Sequence, residues 1–476
     1  MQNMRIVKSI AIQATILSLL AGCARFEAKP LSPQQTAEQF EARTLDDPQL
    51  KDFLQASLKR DLTGWPLREW DFDTLALAAF FYHPSLDVAR AQWAVAQAGV
   101  TTASGRPNPV AGVAPQYTTN SESGVSPWVV ALTLDATIET AGKRAYRIER
   151  AKQESESARL GLMEQAWQVR SRLRARLLDY AAANRRVAVL QGVREIQQQV
   201  VKLLEGQLAA GAIASTDVTT SRVALIKTQG DFVEAQRQAV ESRAAVAEAL
   251  GVPLRAIEGR DLKFDLSPSA EAGRDLESAE IRQRALHSRA DILAALTDYA
   301  ASQSALQLEI ARQYPDIHLG PGYEFDQGSH KWGLGVGAEL PVLNRNEGPI
   351  AEAEAKRAQA AAQFLSLQAQ VIAEIDRAMV ARAASQEQLR QLGTLLETHQ
   401  QHVQSVEAMV KAGGADQLEL SSARLEASLT EVVRLDAMIK AQQALGQLED
   451  AVQVPFDAMP SVEQDPRTQV EKEKKP

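Results

Sequence analysis

Along each half of the chain the spacing of apolar residues shifts from a helical period to a two-residue period and back. From Phe72 to Ser104 apolar positions recur every three or four residues, which predicts helix, until Arg106-Pro107-Asn108-Pro109 stops it. Trp128, Val130, Leu132, Leu134 and Ala136 then alternate with Val129, Ala131, Thr133 and Asp135. The second half alternates more sharply. Ile317, Leu319, Pro321, Tyr323 and Phe325 interleave with Asp316, His318, Gly320, Gly322 and Glu324, and Trp332, Leu334, Val336, Ala338 and Leu340 interleave with Lys331, Gly333, Gly335, Gly337 and Glu339. Segments of about ten residues, apolar on one face, small or polar on the other and aromatic near an end, have the pattern of strands that cross a membrane. The turns are expected over Asn120 to Ser126 and Asp326 to His330, and Pro115 and Pro321 each remove one ladder donor.

After each strand pair the helical period returns at length. Beyond Gly142 at its start, nothing but Gly161, Gly192 and Gly206 interrupts residues 141 to 208, and some 65 residues at 1.5 Å each extend roughly 100 Å. A stripe of Ile148, Ala151, Ser155, Ala158, Leu162, Ala166, Val169, Leu173, Leu177 and Tyr180 steps by three and four. Val218, Leu225, Phe232, Ala239 and Val246 fall seven apart, as do Leu418, Leu425, Val432 and Ile439, which predicts coiled-coil packing against neighbouring helices.

The two halves are copies. Trp128 matches Trp332, Gly142-Lys143-Arg144 matches Asn346-Glu347-Gly348, Ala210-Gly211 matches Ala412-Gly413, Arg222 matches Arg424 and Val252-Pro253 matches Val454-Pro455. Upstream, Arg106-x-x-Pro109 matches Arg312-x-x-Pro315 and Tyr117 matches Tyr323, the offset drifting only from 206 through 204 to 202. Such a period is a duplicated half-protein rather than a solenoid unit. Repeat 1 is expected over residues 73–253, with a helix, a strand pair at 109–137, a long helix at 141–208 and a helix at 217–250. A linker covers 254–275. Repeat 2 is expected over 276–455, with a helix, a strand pair at 315–341, a long helix at 347–410 and a helix at 418–450. A helix is also expected from Pro33 to Leu58, and the tail at 456–476 has the composition of a disordered segment.

The start is an address label. Arg5 and Lys8 precede an apolar run from Ser9 to Leu20, and Leu20-Ala21-Gly22-Cys23 reads as a signal peptide (1–22) ending in a lipobox, with Cys23 the acylated first residue of a lipidated segment at 23–72. Cys23 is the only cysteine, so no internal disulfide is possible. Ala24 in place of Asp fits bacterial lipoproteins sent to the outer membrane. No later apolar run approaches the ~18 residues of a spanning helix, so a mature chain that crosses a membrane does so as a closed β-barrel. Four strands cannot close one, because about eight is the workable minimum. Three chains give twelve, enough to leave a lumen. With 52 basic and 60 acidic residues and a formal charge of -8, the chain is a poor nucleic-acid binder and suits a route that attracts cations.

Lipobox, duplicated helix–hairpin–helix and the two Gly-bearing helical turns together resemble the TolC-like outer-membrane efflux family over nearly the whole mature chain. His83-Pro84-Ser85-Leu86 fits the family's Asn/His-Pro-x-Leu signature, from which the second copy departs with Arg289-Ala290-Asp291-Ile292. Ile138-Glu139-Thr140-Ala141-Gly142-Lys143-Arg144 looks like the CzcC-type branch that serves heavy-metal cation efflux. The resemblance implies a homotrimer with a 12-stranded transmembrane β-barrel, four strands per chain. A long periplasmic α-helical barrel continues it and docks on a periplasmic adaptor (membrane fusion) protein and an inner-membrane resistance-nodulation-division transporter. It implies a duct that carries out no chemistry and needs no cofactor.

Within that frame the turns at Gly211 and Gly413 are expected at the periplasmic tip, with Asp217, Asp416 and Glu419 as candidate gate carboxylates, where threefold symmetry would form acidic rings. Ser215, Thr216 and Asp217 also suit a helix N-terminus, so capping competes with gating there. His318, Glu324, Lys331 and Glu339 are expected to face the barrel lumen. His399 and His402 lie one helical turn apart, but two ligands with no third do not make a metal site. No phosphate loop, nucleophile elbow or hydrolase metal helix occurs. The leading expectation is an outer-membrane duct for divalent heavy-metal cations, against a multidrug duct of the same fold and a pore-free periplasmic coiled-coil lipoprotein scaffold.

Overall fold

The computed structural model describes residues 26–62, 64–119, 124–267 and 278–455. Cys23, part of the first strand turn and the tail from residue 456 lie outside them. The chain divides into two units, Met1–Arg43 and Thr44–Pro476. The first holds helix α1 (Pro33–Glu41), whose start is capped by Ser32. The second opens with α2 (Pro48–Leu58). Pro33 to Leu58 is therefore two helices, not one. Asp47 accepts the Gln49 amide at 2.8 Å and Pro48 occupies the first helical position, so a new helix starts there.

Strand β1 (Glu69–Trp70) precedes α3 (Phe72–Tyr82) and α4 (Pro84–Ser104). The pattern from Phe72 to Ser104 is thus broken at His83, which takes an extended backbone because Pro84 follows it. Strands β2 (Val110–Tyr117) and β3 (Trp128–Ile138) come next, then α5 (Lys143–Ala209) and α6 (Ser215–Leu250). Leu254–Ile257 form a 3-10 turn, and β4 (Asp261–Leu262) pairs in parallel with β1. The second copy runs α7 (Ser278–Ser288), α8 (Ala290–Ala311), β5 (Ile317–Asp326), β6 (Ser329–Ala338), α9 (Glu347–Lys411) and α10 (Gln417–Val452). Here too two helices precede the strands, with an extended residue, Arg289, between them. Glu339 falls one residue past the end of β6 rather than inside it.

The copies solve the α3–α4 and α7–α8 breaks differently. In the first, His83 Nδ1 accepts the Ser85 amide at 3.3 Å, and Gly251 packs so close that a Cβ would lie 2.9 Å from His83 Cα. In the second, Gln453 takes the equivalent left-handed position, and its Oε1 caps α8 by accepting the Ala290 amide at 2.9 Å. Arg289 then bonds Asp291, Glu374 and the Ala451 carbonyl. A long side chain at 453 replaces the cap that histidine supplies at 83, which accounts for the departure from His-Pro.

Helix α5 is the spine, packing on α4, α6, α8 and α10. Every residue of its predicted stripe from Ile148 to Tyr180 is buried or half-buried. The largest core gathers Leu50, Leu54, Trp70, Leu75, Leu86, Val169, Leu173, Leu177, Leu250 and Ile257 around the middle of α5, and a second gathers Ile281, Ile292, Val371, Ile375 and Leu448. Farther along the long helices burial thins to narrow seams, one around Leu190, Phe232 and Ala235 and one around Val406, Leu420 and Ala423. Between α5 and α10 three charges are buried. Glu449 lies 3.5 Å from Arg170 and 3.2 Å from Arg174, and Arg174 also donates to the Gln442 carbonyl and side chain at 3.0 Å each. Among the described residues no helix is long and apolar enough to cross a membrane.

Candidate functional site

The four long strands form one antiparallel sheet in the order β2-β3-β5-β6, which joins the two copies through β3 and β5. Cross-strand partners share a face, so the register sorts the side chains. Ala111, Val113, Pro115 and Tyr117 sit opposite Leu134, Leu132, Val130 and Trp128. Leu132, Val130 and Ala136 sit opposite Tyr323, Phe325 and Leu319, and these meet Trp332, His330 and Val336. One face is therefore apolar across all four strands except for His330. It is also exposed, with Trp332 at 81% and Leu334 at 70% of full accessibility. An isolated soluble chain would not leave so large a patch in water.

The opposite face carries Gly112, Thr133, Asp135, Thr137, His318, Gly320, Gly322, Glu324, Asp326, Lys331, Gly333, Gly335 and Gly337. His318 Nδ1 lies 3.2 Å from Asp135, and Lys331 lies 3.5 Å from Glu324 and 2.5 Å from Asp326. The structure thus brings His318, Glu324 and Lys331 to one face; it adds Asp135, which the alternation already placed there, and Asp326, expected in the turn but found as the last residue of β5. The β3–β5 ladder skips Gly320 and Pro321 opposite Leu134 and Asp135, where the proline has no amide to donate. Pro321 is accommodated in a central strand by that gap. Gln327 and Gly328, both with positive φ, form the two-residue turn of the second hairpin. Ring pairs repeat at the hairpin ends, Tyr117–Trp128 at 5.1 Å and Tyr323–Trp332 at 4.8 Å.

Where β3 enters α5, the segment Ile138–Arg144 is tied down residue by residue. Ala141 and Gly142 both have positive φ, and Gly142 occupies the N-cap position of α5 as Asn346 does that of α9, neither with a side-chain cap bond. Glu139 pairs with Arg147 at 2.5 Å. Thr140 bonds Asp316 through its amide at 3.0 Å and the Pro315 carbonyl through its hydroxyl. Lys143, itself buried, donates to Asp316 at 2.8 Å, and Arg144 bonds the last carbonyl of α4, that of Ser104. Partial burial works to raise the Asp316 pKa, but bonds from Lys143 and the Thr140 amide outweigh it and hold the carboxyl below its usual range. Asp316 was not singled out from the sequence. Its signals were its polar place in the alternation and its position beside Pro315, just ahead of a strand.

At the far end of the long helices the turns after α5 and α9 match in geometry. Gly211 and Gly413 have φ of 73° and 75°. Ala212 N–H bonds the Gln207 carbonyl and Gly414 N–H the Met409 carbonyl, each at 2.9 Å. Only glycine takes this left-handed helix end without strain. Beyond them Asp416 caps α10, accepting the Glu419 amide at 2.8 Å. Asp217 makes no cap bond; it stands exposed in the first turn of α6. Glu419 is likewise exposed, and among the described residues neither the Asp217 nor the Glu419 carboxylate has a hydrogen bond or ion pair. Arg222–Glu205 at 2.5 Å and Arg424–Glu407 at 3.7 Å tie each helix pair at matching positions. His399 lies 3.8 Å from Glu426, and the described residues hold no group of three metal-ligating side chains.

The model of the outer membrane efflux protein family matches residues 79–252 and again 281–452. This chain belongs to the outer membrane efflux protein family. Among curated relatives it is 25% identical over 255 residues to the cobalt-zinc-cadmium resistance protein CzcC of Cupriavidus metallidurans, covering 52% of this chain and 60% of that one. It is 23% identical over 266 residues to nodulation protein T of Rhizobium leguminosarum bv. trifolii, covering 53% and 56%. The chain thus spans little more than half the length of either relative. Among solved structures the outer-membrane channel OprN superposes with a TM-score of 0.67 at 18% identity, over 91% of this chain and 99% of that one. The fold is that of the family's channels, with a helical part and a strand part. Family membership places the chain among outer membrane efflux proteins rather than among enzymes.

Proposed function

We propose that three copies close their sheets into one 12-stranded barrel in the outer membrane and form a duct for divalent heavy-metal cations. One observation carries it. A four-stranded sheet exposes a face that is apolar on every strand but for His330 and ends in edge strands β2 and β6, while its other face is glycine-rich and bears Asp135, Glu324 and Asp326 against His318 and Lys331. Unpaired edges are untenable in lipid, so each β6 meets the β2 of the next copy. The apolar face then meets lipid and the acidic face a lumen that favours cations. The likeness of half the chain to CzcC supports metal as cargo. Asp217 and Glu419, whose carboxylates are unpaired among the described residues, form the tip gate, with Asp416 capping the helix that presents Glu419. A periplasmic adaptor and an inner-membrane transporter of the resistance-nodulation-division class complete the pump, and acylated Cys23 adds a lipid tether.

The test is twofold. Reconstituted protein is expected to give cation-selective conductance in planar bilayers, and deletion of the gene is expected to lower tolerance to divalent heavy metals. Loss of tolerance to organic compounds alone would make it a drug duct. A protein that never conducts would be a scaffold instead.

A further inference from the structure

The two copies differ where their strands hand over to the long helices. In the first copy that junction is polar and tied by Glu139–Arg147 and Lys143–Asp316. At the matching positions of the second copy, Ile138-Glu139-Thr140 becomes Val342-Leu343-Asn344, and Arg147 becomes Ala351. The ion pair is gone. In its place Leu343 is 98% exposed, with Leu340 at 73% and Val342 at 75%. The chain turns sharply there, Val342 N–H bonding the Leu340 carbonyl at 2.8 Å. Tyr314, exposed at the same end of the sheet, stands where the first copy has Asn108, and exposed Arg345 follows within two residues.

We propose that this knuckle, Leu340 to Arg345 with Tyr314, is a membrane-surface anchor that enters the phospholipid leaflet at the inner rim of the barrel, on the second copy only. The inference rests on the barrel reading above. Three features favour lipid as the partner. The alternation Leu334, Val336, Ala338 carries on through Leu340 and Val342, past the last ladder pair, Ile317 with Ala338. Exposed apolar residues thus follow directly on the strand whose apolar face is assigned to lipid. Next, the 10 residues of β6 rise ~3.4 Å each at a tilt of ~40°, so the ladder alone covers about 26 Å of the normal. That already fills an apolar band of roughly 25 Å, which puts the knuckle at headgroup level. Finally, a tyrosine and an arginine flank the apolar residues, as suits a boundary where rings lie half-wet and cations meet anionic headgroups.

The test uses the full chain in vesicles of phosphatidylethanolamine and phosphatidylglycerol, with an environment-sensitive fluorophore on Leu343→Cys. Companion labels sit on Leu334→Cys in the apolar face and Gly333→Cys in the polar face, and the parent chain sets the background from Cys23. The Leu343 label is expected to shift to the blue on reconstitution. Lipid brominated near the headgroup end should quench it more than lipid brominated near the chain terminus, as for a group seated ~5–10 Å into the boundary. The Leu334 label should show the opposite preference, and the Gly333 label should stay open to aqueous iodide. A Leu343 label that brominated lipid leaves untouched, while Leu334 is quenched, overturns the anchor and leaves the barrel standing. Shielding of Leu343 from iodide without quenching by brominated lipid also overturns it, by assigning the knuckle to a second copy. If Leu334 too escapes quenching, the barrel reading fails and the anchor with it.

Discussion

Glu449 is the residue whose loss should cost the fold most for the smallest change in shape. It is 3% exposed, on α10, and faces Arg170 and Arg174 of α5, both also buried. Arg170 lies over the rings of Phe72 and Trp167 at 4.9 and 5.0 Å, and Arg174 over Phe264 at 5.7 Å. Gln442 bonds Arg174 and donates to the Asp265 and Ser267 carbonyls at 3.2 and 3.1 Å. One carboxylate thus balances two guanidiniums that join both copies and the linker. Removing one partner of a buried pair costs ~3–5 kcal/mol. The rings and Gln442 still hold the arginines in Glu449→Gln, so about 3 kcal/mol is expected, the low end of that range. Carried on the unfolding limb, that loss speeds unfolding roughly 100-fold. The assay is the rate of loss of helical circular dichroism in detergent at fixed temperature, beside Glu234→Gln on an exposed helix face, which should leave the rate unchanged. Gly446→Ala should also accelerate unfolding, because its Cβ would fall 2.3 Å from Arg174 Nη1. An unfolding rate for Glu449→Gln within threefold of the parent would refute the account.

Asp217→Asn with Glu419→Gln is expected to lower cation selectivity in planar bilayers without changing unfolding, since neither carboxylate has a partner among the described residues; unchanged single-channel behaviour removes the gate. Asp416→Ala should destabilise the start of α10 by about 1 kcal/mol through the lost cap, read as faster amide exchange at residues 417 to 420. Adjacent substitutions on β6 should part company: Leu334→Arg costs about 2–4 kcal/mol of membrane insertion, while Gly333→Arg inserts normally and changes conductance, and equal insertion would disprove the assignment of faces. The depressed pKa of Asp316 means that its bonds stabilise the junction fully above the unfolded value of about 3.9 and lose that effect as pH falls through the lower folded value. The parent's unfolding rate should therefore stay flat down to about pH 4 and rise below it, and Lys143→Met should flatten that rise.

Most of the architecture was legible because duplication wrote it twice. Val129 to Asp135 alone would pass for a soluble hairpin, but the sharper alternation from Ile317 to Leu340 shows the same faces, and the register places both sets in one sheet. The Gly211 and Gly413 turns were legible for a local reason, since their left-handed backbone favours glycine whatever surrounds it. What sequence spacing could not reach depends on contacts across some hundreds of residues. Asp316 meets Lys143 and Glu449 meets Arg174 only after the helices pack. The helix breaks at His83 and Arg289 were missed because apolar periodicity runs through them, while the caps that restart the helices are polar. The tip was half legible: capping and gating were both open for Asp217, which stands in the first turn of α6 without a cap bond, whereas at the matching turn of the second copy Asp416 caps α10.

Ile138 to Arg144 shows why a branch signature need not touch cargo. Its charged side chains are engaged within the chain: Glu139 on Arg147, Lys143 on Asp316 and Arg144 on the end of α4. On the proposed route the open carboxylates are Asp217 and Glu419 at the tip and Asp135, Glu324 and Asp326 on the sheet, while the charges of this junction between them are taken up by one another. The segment instead joins β3, the approach to β5 and the end of α4 to the first turn of α5, so it sets the angle at which the strands of both copies leave the helices. Cargo preference and junction geometry can be inherited together without one causing the other. Replacing Lys143 and Arg144 should therefore loosen the fold well before it alters which ions pass. A substitution there that switched selectivity at unchanged stability would show the segment to be a filter after all.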